Sequence, residues 1–128
     1  MRRVTLGLAI VAMGLAAVPA SAAAQTMPLN EFIATAERIP RNPLALVRSD
    51  FRRLKREVEA GLGVIGTAQY RAQQANQPPP TCMPDSFRFD GEDMLRRLKA
   101  IPEPRRRTMT ITDGLRDVIR RQYPCPAA

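Results

Sequence analysis

Residues 82–125 read CMPDSFRFDGEDMLRRLKAIPEPRRRTMTITDGLRDVIRRQYPC, and this stretch decides the fold. Two helical patterns lie between its cysteines. Met94, Leu95, Leu98 and Ile101 recur at helical spacing and give the first pattern an apolar face. Asp90 stands where an N-cap belongs, with Glu92 and Asp93 in the first turn, where the helix dipole favours acids. Pro102 and Pro104 are expected to end this helix and to leave Arg105-Arg106-Arg107 in a turn. Thr110, with Asp113 three residues on, reads as the cap of the next helix. Ile111, Leu115, Val118, Ile119 and Tyr123 form its apolar face, and Pro124 closes it.

Each of these helices is only about three turns long, which is marginal for an isolated helix in water. Packing them as a hairpin brings the start of one near the end of the other, where Cys82 and Cys125 lie. Two cysteines allow one intramolecular disulfide, with two free thiols or an intermolecular bridge as the alternatives. Closing so long a loop restricts the unfolded chain by about 4 kcal/mol on the chain-entropy argument.

Upstream, Leu29, Phe32, Ile33 and Ala36 put one apolar face on a helix over residues 28–39, with Pro28 at its start and Pro40 at its end. Residues 44–75 read as a long helix, with a short first piece ending near Ser49-Asp50. Val47, Phe51, Leu54, Val58, Leu62, Ile65, Ala68, Ala72 and Ala75 step along it by three or four. Gln77-Pro78-Pro79-Pro80 stops it and makes a stiff spacer. No stretch reads as a strand, and there is no internal repeat.

The first residues are read as export machinery, not fold. Arg2-Arg3 precedes an apolar run, Val4 to Val18, and small residues follow at Pro19 to Ala24. This is the pattern of a secretory signal peptide, and the run is too short to span a bilayer. Cleavage is expected after Ala24, with a cut after Ala22 as second choice, and general secretion is favoured over twin-arginine export. The expected organisation is therefore residues 1–24 as signal peptide and 25–128 as one helical domain in the periplasm. The domain has no second apolar stretch long enough to cross a membrane.

Without Arg2 and Arg3 the chain holds 18 basic and 12 acidic residues, a net charge of +6. The charge divides evenly, +3 in residues 25–80 and +3 in residues 81–128, so no basic tail marks a nucleic-acid binder. Export also argues against a nucleic-acid partner. An acidic protein or the anionic envelope fits better. Disulfides persist in that compartment.

Gly61-x-Gly63-x-x-Gly66 matches a dinucleotide-binding pattern but lies inside a helical stripe, with no strand before it. Close helix packing is the preferred reading, with a weak or kinked helix as a corollary. The sequence holds no histidine, which removes Ser-His and Cys-His catalysis and Cys/His zinc sites. Glu57 and Glu59 are two apart and do not share a helix face. The expectation is no enzyme, no cofactor and no metal.

Arg53 and Glu57, Glu92 and Arg96, Asp93 and Arg97, and Asp117 and Arg121 stand at i,i+4 and read as local pairs on solvated faces. Arg105, Arg106 and Arg107 fall outside the helical patterns, with only Glu103 nearby to oppose them. They are the candidate partner-binding residues.

The order Cys82-x-Pro84, a helix with Leu95 and Leu98, Pro102 with a basic turn, and a last amphipathic helix closed by Tyr123-Pro124-Cys125 resembles the Rap/Tai family. These are periplasmic immunity proteins of type VI secretion. The resemblance covers residues 80–126. It implies a small exported all-helical protein with a disulfide, which binds and neutralises a secreted antibacterial toxin, often a peptidoglycan amidase. The fold expected is an all-α bundle of about four helices, with one disulfide closing the C-terminal helical hairpin. The function expected is non-enzymatic protein binding. The alternative is an envelope or stress protein, chaperone-like or binding the anionic envelope, with no toxin partner.

Overall fold

The computed structural model describes residues 27–126. The expected signal peptide and its cleavage site lie outside the described residues. Among these residues five α-helices run in the order α1 (Leu29–Arg38), α2 (Ser49–Gln74), α3 (Gly91–Ala100), α4 (Glu103–Arg106) and α5 (Ile111–Gln122). A 3-10 turn, Pro43–Val47, precedes α2. Among the described residues there is no strand, only an isolated antiparallel bridge between Pro28 and Thr110. The all-α bundle expected from the apolar stripes is the fold, with the short α4 added.

α5 is the central element: it packs against α2, α3 and α1. Its apolar face explains this. Ile111, Leu115 and Ile119 are completely buried, and Val118 is nearly so. They meet Leu29, Phe32 and Ile33 from α1, Leu54, Val58 and Ile65 from α2, and Met94 and Leu98 from α3, with Ile101 just beyond it. Burying a side chain of this kind contributes about 1.5–3 kcal/mol, so the shared core holds together helices too short to persist alone. The bridge at Pro28 ties the entry to α1 onto the entry to α5. Leu29 N–H donates to Met109 O at 2.9 Å, and Ile111 N–H donates to Met27 O at 3.0 Å.

The helix ends follow local chemistry. Asp90 Oδ1 accepts from Asp93 N–H at 2.8 Å and starts α3. Thr110 and Asp113 form a reciprocal capping box at the start of α5. α2 ends before the prolines expected to stop it. Asn76 takes a left-handed conformation (φ 51°). Asn76 N–H then reaches Gln73 O, and Gln77 N–H reaches Ala72 O at 2.9 Å. That pair of bonds satisfies the last carbonyls of the helix.

Three expectations are corrected here. Val47 is exposed and not part of the α2 stripe, because it belongs to the preceding 3-10 turn, whose helical phase differs. α2 runs through Gly61, Gly63 and Gly66 as one continuous helix. Close packing holds only at Gly61, where a Cβ would stand 3.0 Å from both Leu115 Cδ1 and Thr112 Oγ1; Gly63 and Gly66 face open space. Finally, Pro102 and Pro104 do not leave a plain turn. Pro104 lies in the first turn of α4, a position where proline's missing N–H costs nothing.

Candidate functional site

Cys82 and Cys125 form the disulfide, with Cα atoms 4.9 Å apart and a sequence separation of 43. Two further ties fix the loop around it. Thr81 is buried, and its hydroxyl donates to Gln69 Oε1 on α2 at 2.8 Å. Phe87 meets Tyr123 edge-on, with ring centroids 6.0 Å apart. The loop before α3 is thereby held to α2 and to the end of α5, and the hairpin is closed as the sequence reading expected.

The arginine run is placed differently from that reading. Arg105 and Arg106 lie in α4, and Arg107 is its C-cap. Arg105 Nη2 donates to Asp117 Oδ1 on α5 at 3.1 Å. Arg121 Nε stands 3.1 Å from the other Asp117 oxygen, without the alignment of a hydrogen bond. Arg107 Nη2 donates to Glu103 Oε1 at 2.8 Å. That hydrogen bond, followed by the charge of Arg107, holds the Glu103 carboxyl below its usual range and raises Arg107. Arg106 is half-buried, and its Nε has no hydrogen-bond partner among the described residues. The three arginines therefore point to different surroundings. The expectation that only Glu103 opposes them missed Asp117.

Arg105 instead joins a face built by α4 and α5. A shallow groove of about 200 Å³ is lined by Arg105, Met109, Asp113, Arg116, Asp117 and Arg120. The α5 members recur at spacings of three and four, so they share one helix side. Both acids are engaged within the face: Asp113 in the capping box and 3.3 Å from Arg116, Asp117 with Arg105. Arg120 is exposed and makes no ion pair among the described residues. Met109 gives the groove a half-buried apolar side chain, and its carbonyl is held by Leu29 N–H. The result is a preorganised, net basic surface around a small apolar spot. It can form bidentate bonds to carboxylates on a partner.

The other charged pairs are partly as expected. Asp93 receives Arg97 Nε at 2.7 Å and is also bonded by Arg96. Glu92 instead lies 4.0 Å from Arg41. Arg53 turns to Glu31 on α1 at 3.0 Å, not to Glu57. Glu57 is left with an oxygen, Oε2, that is buried and unpartnered among the described residues. Burial pushes its carboxyl above the usual range. Glu59 pairs with Lys55 at 3.6 Å. Among the described residues no group of three or more Asp, Glu, Cys or His is placed to hold a metal ion. None of their helices is long and apolar enough to cross a membrane.

These features define a small disulfide-tied α-helical protein with a structured basic face. No family model, curated protein or solved structure matches the chain.

Proposed function

We propose that this is an exported, non-enzymatic binding protein of the immunity type, which neutralises a secreted antibacterial toxin by covering it. The observation that carries the reading is the α4–α5 face. Arg105, Arg116 and Arg120 surround Met109 on helices fixed by a disulfide, a capping box and a common core. Such a face loses little freedom on binding, which favours affinity. It suits an acidic protein surface, and a cell-wall amidase is the class of toxin implied by the family resemblance. Periplasmic residence fits a disulfide that closes most of the C-terminal half.

The test is capture of a partner by the tagged protein from periplasm, followed by titration with the purified partner. One saturable partner is expected, with 1:1 stoichiometry and weaker binding to the triple variant Arg105→Glu/Arg116→Glu/Arg120→Glu. Cells producing the protein should survive that partner's activity in their envelope. Turnover of peptidoglycan by the purified protein itself would overturn the reading, as would a captured toxin that remains fully active.

A further inference from the structure

The net positive charge of the described chain is concentrated in one stretch. Residues 38–56 contain seven basic residues and one acidic residue, Asp50; the other described residues contain eleven of each sign. Several of the seven are satisfied locally: Arg48 by Asp50 at 2.6 Å, Arg53 by Glu31 and Lys55 by Glu59. Among the described residues Arg41 has only Glu92 at 4.0 Å, and both side chains are well exposed. Arg52 and Arg56 are exposed one turn apart on α2 and make no ion pair among the described residues.

The same stretch carries an exposed apolar cluster. Leu44, Leu46 and Val47 are 71%, 62% and 70% exposed, three of the five exposed large apolar side chains among the described residues. They project from the 3-10 turn Pro43–Val47, whose backbone is fixed. Asn42 Oδ1 accepts Leu44 N–H at 3.1 Å, Ala45 N–H donates to Asn42 O, and Arg48 N–H donates to Ala45 O. Ala45 is buried beneath the turn. The outward leucines are thus held in place by the fold. Arg48 ends this turn and begins α2, and Arg52 N–H bonds to Arg48 O, so the knuckle and the arginine stripe are contiguous.

We propose that this knuckle docks the protein on an anionic phospholipid surface. Leu44, Leu46 and Val47 enter the boundary between headgroups and acyl chains, and Arg41, Arg52 and Arg56 meet lipid phosphates. Apolar side chains rimmed by basic ones are the combination that gives interfacial binding. The apolar tips sit on a single turn, and a fluid bilayer needs no matching pocket to receive them. A second copy of the chain is a poor occupant, because two basic rims would face each other. No described helix is long and apolar enough to cross a membrane, so the proposed contact of the knuckle itself is interfacial. This inference does not depend on the toxin-neutralising reading.

The test is co-sedimentation with phosphatidylglycerol vesicles, with phosphatidylcholine vesicles as the reference. The apolar N-terminal run of the full chain would itself enter lipid, so the form lacking the expected signal peptide, residues 1–24, is used; the described core lies within residues 27–126. Far-UV circular dichroism checks that each variant folds. Wild type should partition onto phosphatidylglycerol and little onto phosphatidylcholine, and salt should weaken the binding. Leu44→Ser/Leu46→Ser and Arg52→Glu/Arg56→Glu should each lower the partition coefficient about tenfold or more. Arg71→Glu/Arg88→Glu, the same change in net charge elsewhere, should lower it far less. Equal loss in that control would mean diffuse charge attraction and overturn the proposal, as would full binding by the leucine variant. So would failure of wild type to bind phosphatidylglycerol. If the leucine variant then also lost an acidic protein partner, the knuckle would be a protein contact instead.

Discussion

Gly114 on α5 lies against Leu98 on α3 so closely that a Cβ there would stand 2.9 Å from Leu98 Cδ2, and 3.0 Å from Leu29 Cδ2. Both leucines are fully buried, so neither can swing into solvent. Gly114→Val should therefore cost about 1–3 kcal/mol by overpacking. Gly63→Ala and Gly66→Ala face open space within a continuous helix and should each add about 0.5–1 kcal/mol. Urea unfolding midpoints check both. A Gly114→Val protein as stable as wild type would mean that α3 and α5 are farther apart than described.

That contrast shows what the sequence carries and what it hides. The apolar stripes of α1, α2, α3 and α5 were legible because each is a periodic property of one segment. The caps at Asp90 and Thr110 were legible for the same reason. The spacing Gly61-x-Gly63-x-x-Gly66 drew attention to three glycines, yet Gly114 is tightly packed and two of the three are not, because packing depends on which helix lies opposite. α4 was hidden by reading Pro102 and Pro104 only as helix breakers. Arg105 and Asp117 are twelve residues apart, and their pairing exists only once α4 docks on α5. The basic knuckle was hidden by averaging charge over halves of the chain. A search for short charge-biased windows beside Pro43-Leu44-Ala45-Leu46-Val47 would have found it.

The Arg105–Asp117 bridge is an exposed contact on the arginine side, with half of the Arg105 side chain open to solvent. Pairs of this kind are worth about 0–1 kcal/mol. Arg105→Ala should accordingly leave the thermal midpoint nearly unchanged. Any loss of partner binding in that variant then reports the contact and not the fold. A midpoint drop as large as that of a core truncation would instead assign Arg105 a structural role.

Glu57 supplies a pH test whose sign is opposite to that of its neighbours. Burial raises its carboxyl above the ordinary value, helped by the charge of Glu31 and opposed by Arg53 and Arg56. The fold thus favours protonated Glu57. Its contribution is best below the pKa of the unfolded carboxyl and worsens as pH rises through the folded one. Glu57→Gln stays neutral throughout, so it should be more stable than wild type at pH 7. The gap should close as pH falls below the unfolded carboxylate range, about pH 4. Glu37, Asp50, Asp93 and Glu103 are lowered by their basic partners and lose stabilisation as pH falls, but they do so in both proteins and cancel in the difference. Thermal midpoints of the pair from acid to neutral pH check this. A gap that widens in acid would contradict the assignment.

The disulfide gives the largest expected effect. α3 and α5 are 10 and 12 residues long, too short to persist in water without their shared core. Cys82–Cys125 closes the chain across both of them and across α4. Each of Cys82→Ser, Cys125→Ser and the double variant should lose about 2–5 kcal/mol, and by similar amounts, because any one of them opens the same loop. The Thr81–Gln69 bond and the Phe87–Tyr123 contact remain in all three, so the hairpin should loosen from its ends without dispersing the core. Partner binding should weaken chiefly through the larger unfolded fraction, and excess partner should restore it by mass action. Thiol titration of the denatured, unreduced wild type should find no free thiol. Two titratable thiols, or a Cys125→Ser protein that unfolds at the wild-type urea concentration, would show that helix packing alone sets the geometry of the C-terminal half.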